Sequence, residues 1–261
     1  MITFFETNYL DEVTQLVALL TVIFLLWCFR ASKSLPSNQM TIRSVGRKSP
    51  STGFDNIPSL IWTYWHDENP PLVVQLCLEN WKRFNPDYQI TMVTAATIDQ
   101  YIDDVPSNLG TLHVTKQSDW LRLALLQKYG GVWLDASIIL TEPLDNWLVP
   151  ILNSSQSSFF AFHLERYNVD KRYPLIENWF LAAKVDDPFI RDWISVFRTK
   201  VIDEGTENYI HGLEKANLLS QYAQRVGSPY YHTMHIVAQQ LIQQPGAESN
   251  YYCSATIRMT G

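Results

Sequence analysis

Residues 118–137 read SDWLRLALLQKYGGVWLDAS, and this stretch decides what kind of domain the chain forms. Trp120, Leu121, Leu123, Ala124, Leu125 and Leu126 crowd every side of a segment running from about Thr115 to Lys128, which predicts a helix that is largely buried. Gly130 and Gly131 stop it, and Val132 to Asp135 reads as a strand. Asp119 and Arg122 stand three apart and share a helix face. Charges on so apolar a helix must be paired or must line a polar cavity. From Asp119 to Tyr129 the helix advances about 15 Å, and from Gly131 to Asp135 the strand advances about 13 Å. If the double glycine reverses the chain, Asp135 returns to the level of Asp119 and Arg122. Two carboxylates and a guanidinium then converge at the C-terminal end of a strand. A buried Asp–Arg pair that only fixes the helix would use the same residues, since structural ion-pair networks share the features of sites.

The segments on either side alternate between strand and helix patterns. Ser59 to Trp65 (SLIWTYW) is a strand pattern, and Pro70-Pro71 opens a helix reaching about Phe84, since proline suits a first helical turn. Tyr88 to Val93 is a second strand and Ile98 to Ile102 a short helical stretch. Ile138 to Leu140 continues or resumes the strand ending at Asp135. Phe159 to His163 and Trp179 to Ala183 are further strands, and helical stretches near 188–202, 211–226 and 231–243 follow. Such alternation predicts an α/β domain with a mainly parallel central sheet, whose ligand sits beyond the strand C-terminal ends. No internal repeat is visible.

Composition narrows the class. Of 261 residues, 46% are hydrophobic and 18% charged, which excludes a wholly disordered chain. The net charge of −6 argues against a general nucleic-acid binder. Cys28, Cys77 and Cys253, odd in number and widely spaced, exclude a disulfide framework and a CxxC zinc site. Val13 to Phe29 is the one long apolar run; as a helix it would rise about 26 Å, a little short of a bilayer core of about 30 Å. Acidic residues before it (Glu6, Asp11, Glu12) fit a cleavable signal peptide poorly. Residues 13–30 are therefore expected to be a transmembrane anchor behind a short segment 1–12. Arg30, Lys33, Arg43, Arg47 and Lys48 follow the run, which would place the later domain on the cytoplasmic side of a cell membrane. Residues 31–56 read as a flexible basic stem, 57–248 as the folded domain and 249–261 as an irregular end.

A carboxylate at a strand end is a hard oxygen ligand suited to Mg2+ or Mn2+, with a substrate diphosphate completing the shell. Arg122 can donate to phosphate or sugar oxygens, and Asp119 can accept from hydroxyls. On the first strand, alternation puts Trp62 and Tyr64 on one face and Trp65 on the other. These rings could stack a base or fill the core. His232 and His235 are three apart, too few ligands for a zinc site.

Taken in order, IPSLIWTYWH, PPLVVQLCLENWKRFNPDY and SDWLRLALLQKYGGVWLDAS resemble the capsular polysaccharide synthesis glycosyltransferases, relatives of the initiating α-1,6-mannosyltransferases of yeast. The likeness runs from about Ile57 to about Gln244. It implies a GT-A type nucleotide-sugar fold, a divalent cation (Mn2+ or Mg2+) and retention of anomeric configuration. It further implies that the Asp119 position binds sugar hydroxyls, that Arg122 binds the donor, and that Asp135 opens the metal motif. Tyr64 and Trp65, at the end of the first strand, are expected at the nucleotide. Glu177-Asn-Trp-Phe resembles the stretch bordering the reacting carbon, where the Asn178 amide oxygen could stabilise developing positive charge. His235 resembles a histidine reaching the diphosphate or metal. The wider superfamily has Asp-x-Asp where this chain has Asp135-Ala136-Ser137, and Ser137 is a weaker ligand than a carboxylate.

The function so implied is sugar transfer from a nucleotide-sugar donor to a surface polysaccharide or lipid-linked glycan at a membrane, in the Golgi if the host is eukaryotic. A non-catalytic nucleotide-sugar-binding or scaffold relative is the alternative. A phosphotransferase or hydrolase would want a nucleophile or a paired-carboxylate base beside Asp135, and the sequence offers none.

Overall fold

The structure is a computed structural model that describes residues 44–45, 57–155, 157–163, 167–170, 172–247 and 253–254. The expected anchor at 13–30 and most of the stem lie outside the described residues. Among the described residues no helix is long and apolar enough to cross a membrane.

Among the described residues seven strands form one sheet: β1 (Ser44–Val45), β2 (Leu60–Tyr64), β3 (Gln89–Val93), β4 (Gly131–Leu134), β5 (Phe159–His163), β6 (Ile176–Ala183) and β7 (Cys253–Ser254). Their order is β1-β7-β5-β6-β4-β2-β3. The helices are α1 (Leu72–Phe84), α2 (Val114–Tyr129), α3 (Leu144–Ser155), α4 (Pro188–Val196), α5 (Thr206–Lys215), α6 (Leu219–Ala223) and α7 (Thr233–Ile242), with short 3-10 turns at Ile98–Gln100 and Leu109–Thr111. Two short strands, β1 and β7, come from segments whose sequence shows no strand pattern.

The sheet is mixed, which corrects the expectation of a mainly parallel one. β2 runs parallel to β3 and β4, and β5 to β7, but β6 is antiparallel to both β4 and β5, and β1 to β7. The chain crosses from β4 through α3 to β5, skips one position, and β6 then returns into the gap. Strand composition carries the burial of each face and not the direction of the chain, so this insertion leaves no mark in the pattern. Helix α3, with Pro150 inside it, was not anticipated either. Ile138–Leu140 is not strand: Trp81 Nε1 donates to Ile138 O, and the Asn80 side chain bonds both backbone groups of Leu140. The helical stretch at 188–202 becomes a π-helix from Phe197 to Asp203, and that at 211–226 is broken between α5 and α6.

Alternation along the strands splits the core into two layers. Ile61, Val132, Leu134, Phe160 and Phe180 face α1 and α3. Trp62, Tyr64, Trp133, Phe159 and Leu181 face α2, α4 and α7. By the period of two, Asp135, just past β4, keeps the parity of Trp133 and points toward α2. The reversal between α2 and β4 depends on the two glycines. Gly130 (φ +63°) and Gly131 (φ +96°) are left-handed, and a Cβ on Gly131 would lie 2.7 Å from Leu60 O. Only glycine adopts that backbone while packing so closely.

Candidate active site

A cavity of about 320 Å3 opens where β2 and β4 end, against the N-terminal half of α2. Tyr64, Trp65, Asp119, Arg122, Asp135, Ser137, Asn178 and His235 all line it, so the structure brings every site residue expected from the sequence to one place. A cavity of comparable volume, about 360 Å3, opens at the opposite end of the strands against α3, with Lys184 and a Tyr88–Asp145 hydrogen bond in its wall. It gathers no comparable set of charges.

Arg122 is the centre of the cluster. Its Nη1 lies 3.1 Å from Asp119 Oδ1 and its Nη2 3.0 Å from Asp135 Oδ1. Nη2 also donates to Ser118 Oγ at 3.1 Å, and the guanidinium lies 5.0 Å over the Trp133 ring. Trp133 Nε1 donates to Asp135 Oδ1 at 2.8 Å. The reversal inferred from helix rise and strand rise thus returns Asp135 to the level of Arg122. Arg122 Nε is buried and has no partner.

The two carboxylates differ in surroundings. Asp119 is buried, and burial pushes its carboxyl up while Arg122 and Lys116 pull it down. Asn178 Nδ2 donates to Asp119 Oδ1 at 3.0 Å, leaving the Asn178 amide oxygen to face elsewhere. Asp135 is 37% exposed at its side chain. Both hydrogen bonds to it end on Oδ1, so Oδ2 is the oxygen it can offer a cation. Among the described residues no group of three His, Cys, Asp or Glu side chains could hold a metal ion. Asp135 Oδ2 and the exposed Ser137 hydroxyl are oxygen donors of the kind that Mg2+ or Mn2+ takes beside water and phosphate, and the His235 imidazole lines the same cavity.

Tyr64 and Trp65 divide between the two readings open for them. The Tyr64 ring is buried in the core while its hydroxyl donates to Gln117 Oε1 at 2.6 Å. Trp65 is half-buried, 5.5 Å from the His66 ring. Trp62 is core, with Nε1 bonded to Gly130 O. Asn178 reaches the site because β6 is irregular: Ala161 pairs with Leu181 and His163 with Ile176, with a register shift between. Such bulges re-aim side chains.

Several contributors escaped sequence reasoning. Lys116, buried, bonds Tyr231 O at 2.9 Å and Thr233 Oγ1 at 2.6 Å and lies 3.8 Å from Asp119; burial pushes its amine down. Its position three residues before Asp119 on one helix face was the available signal. Met234 Sδ lies 3.5 Å from Arg122 Nη1 and 3.3 Å from Asn178 Nδ2, and nothing in the sequence pointed to it. Glu177 Oε2 lies 3.8 Å from His235 Nε2. His235 Nδ1 is buried without a partner, and the His232 ring packs 5.1 Å away.

A buried helix carrying Asp and Arg, a double-glycine return and a strand-end Asp, all at one cavity of a mixed α/β sheet, define a class of ligand-binding α/β domain. The model of the family described as "Capsular polysaccharide synthesis protein" matches residues 37–259, and the chain belongs to that family. It is 30% identical over 180 residues to O-glycosyltransferase braB of Annulohypoxylon truncatum, covering 61% of this chain and 41% of that one. To the putative glycosyltransferase HOC1 of Saccharomyces cerevisiae it is 23% identical over 177 residues, covering 62% and 45%. To the initiation-specific alpha-1,6-mannosyltransferase of the same yeast it is 26% identical over 104 residues, covering 35% and 22%. The chain therefore spans less than half the length of each of these relatives.

Proposed function

We propose that the chain is a glycosyltransferase of GT-A type that moves a sugar from a nucleotide-sugar donor to a glycan or lipid-linked acceptor, with retention. The observation that carries this reading is Arg122 held between a buried and a half-exposed carboxylate at the strand ends, with its Nε unpartnered. In this reading Arg122 donates to the departing diphosphate, and stabilising charge that develops on a leaving group is the main catalytic contribution expected of such donors. Asp119, fixed by Asn178 and Lys116, accepts from donor sugar hydroxyls and sets the sugar's orientation. The Asn178 amide oxygen, freed because its nitrogen is committed to Asp119, faces positive charge growing on the sugar. Trp65 and the Tyr64 edge form the wall for the base.

Asp135 Oδ2, Ser137 and His235 would hold Mn2+ or Mg2+. When bound, such a cation supplies Lewis-acid neutralisation of the diphosphate. Anchoring at a cell membrane through residues 13–30 is part of the proposal. It rests on the apolar run and its basic flank alone.

The test offers the full chain a panel of nucleotide sugars with Mn2+, Mg2+ or EDTA and follows release of nucleoside diphosphate, beside Asp119→Ala and Asp135→Ala. One productive donor, silenced in both variants and by EDTA, is the expected result. Donor binding without turnover would favour a binding or scaffold relative. No binding of any donor would reduce the cluster to a structural ion pair.

A further inference from the structure

Lys116 joins two walls of the cavity that come from distant parts of the chain. Thr115, Ser118, Asp119 and Arg122 of α2 form one wall, and Tyr231 and His235, at the start of α7, form another. Lys116 stands in the first turn of α2 and does not itself line the cavity. Its ammonium has three protons to donate. Two of them cross to the second wall, to Tyr231 O at 2.9 Å and Thr233 Oγ1 at 2.6 Å. The nearest carboxylate oxygen, Asp119 Oδ2, is 3.8 Å away. That is too far for a hydrogen bond and near enough for attraction between charges.

A link between two helices could serve stability alone, but three features of this one point to the site. The first is its charge. A carbonyl and a hydroxyl can be satisfied by a neutral donor, and a buried ammonium is costly; burial pushes this amine down. Thr233 is moreover the first residue of α7, so the cation lies at the positive end of a helix dipole, the unfavourable end for it. The second is what it holds. Tyr231 is 59% exposed at the cavity. Among the described residues, Lys116 is the one side chain outside 228–233 that hydrogen-bonds that segment. The third is Asp119. Its Oδ1 meets Arg122 Nη1 and Asn178 Nδ2, while Oδ2 accepts no hydrogen bond among the described residues and has the Lys116 charge on its side.

We infer that Lys116 is a positioning residue for sugar transfer: its ammonium clamps the Tyr231–Thr233 turn to α2 and, with the same charge, orients the Asp119 carboxylate so that Oδ2 is the oxygen offered to the donor sugar. This rests on the glycosyltransferase reading of the same cavity. It adds the group that makes the hydroxyl-binding carboxylate and the Tyr231 wall a single unit. Lys116 touches no substrate and exchanges no proton in the reaction. It acts through Asp119 on one side and through Tyr231 and Thr233 on the other, so loosening it displaces both walls at once.

The experiment compares the full chain with Lys116→Met, Thr233→Val and the double variant. Lys116→Met removes the charge and both bonds at nearly constant length; Thr233→Val removes one bond and leaves the charge. Amide hydrogen exchange is followed by mass spectrometry, and release of nucleoside diphosphate from the productive nucleotide sugar is measured well below the unfolding temperature. In Lys116→Met, exchange over residues 228–236 should quicken by about tenfold while β4 and β6 keep the parent rates. Donor kcat/KM should fall by about 30-fold in Lys116→Met and about threefold in Thr233→Val. The double variant should be no worse than Lys116→Met, because both substitutions break one clamp. Faster exchange throughout the sheet, with the parent's kcat/KM in the folded fraction, would make Lys116 a structural contact and overturn the inference. Local quickening without a kinetic effect would overturn it too, as would two substitutions whose effects on kcat/KM multiply. Should Lys116→Met fail to fold, Thr233→Val decides by the same local exchange and its loss of kcat/KM. A parent that turns over donor beside unaffected variants removes this inference alone. A parent that turns over no donor removes the glycosyltransferase reading and this one with it.

Discussion

Replacing Arg122 by methionine separates a structural ion pair from a working one. The Arg122–Asp119 contact at 3.1 Å is buried on both sides. At an effective dielectric near 20 its Coulomb energy is about 5 kcal/mol, much of it offset by the desolvation of both ions. Removing one partner strands the other, at a cost of about 3–5 kcal/mol. Asp119 would keep Lys116 at 3.8 Å and the Asn178 amide, so the lower end, about 3 kcal/mol, is expected. The Asp135 contact adds little, because that carboxyl is more than a third exposed and screened. Asp119→Asn/Arg122→Met removes both charges and should recover about 2 kcal/mol relative to the single variant. The assay is urea unfolding followed by tryptophan fluorescence, with nucleoside diphosphate release measured on the same samples. Activity should fall by about 100-fold or more in both variants, so that stability returns in the double variant and turnover does not. A loss in Arg122→Met below about 1 kcal/mol, or two additive substitutions, would refute the electrostatic argument. Return of turnover with stability would show that Arg122 serves only the fold.

Three further outcomes follow from the geometry. Gly131→Ala places a Cβ 2.7 Å from Leu60 O at a φ of +96° and should cost about 3 kcal/mol or more in urea unfolding; a loss under about 1 kcal/mol would mean that β4 can shift away from β2 freely. Asn178→Ala should lower kcat by roughly 10–100-fold with little change in donor KM if its oxygen acts on the transition state, and a change confined to KM would make it a binding contact instead. Burial lowers the His232 imidazole below its ordinary 6.5, so the unfolded chain binds more protons than the folded one between that lowered value and 6.5, and stability rises with pH there. The contribution of His232 is therefore present above about pH 6.5 and lost on acidification through the lowered value; His232→Asn should lose less stability than the parent from pH 7.5 to 5.5, as read by thermal unfolding.

The convergence of Asp119, Arg122 and Asp135 was legible because it depends on local arithmetic. A helix of fixed rise, two glycines able to take left-handed φ and a strand of fixed rise leave Asp135 little choice of level. Parity along the strand, continued one residue past Leu134, then sets the side it faces. The strands at β2, β3 and β5 and the long helix α2 were legible from composition, as runs rich in apolar, aromatic or β-branched residues bounded by glycine, proline or polar turns. Helix α3 was hidden by Pro150, which reads as a helix breaker but sits inside it.

What only the tertiary structure decided is whatever joins segments distant in the chain. The insertion of β6 antiparallel between β4 and β5, and the bulge that turns Asn178 toward α2, follow from backbone pairing, which is nearly blind to side-chain identity. Lys116 reaches Tyr231 and Thr233 across more than 110 residues, and Met234 meets Arg122 through the docking of α7, whose backbone Trp193 holds. The sequence by itself determined which residues carry charge into an apolar helix and how far the chain travels before it returns. The packing of α7 and β6 around that return decided which groups surround the charges and which of their atoms remain free for a substrate.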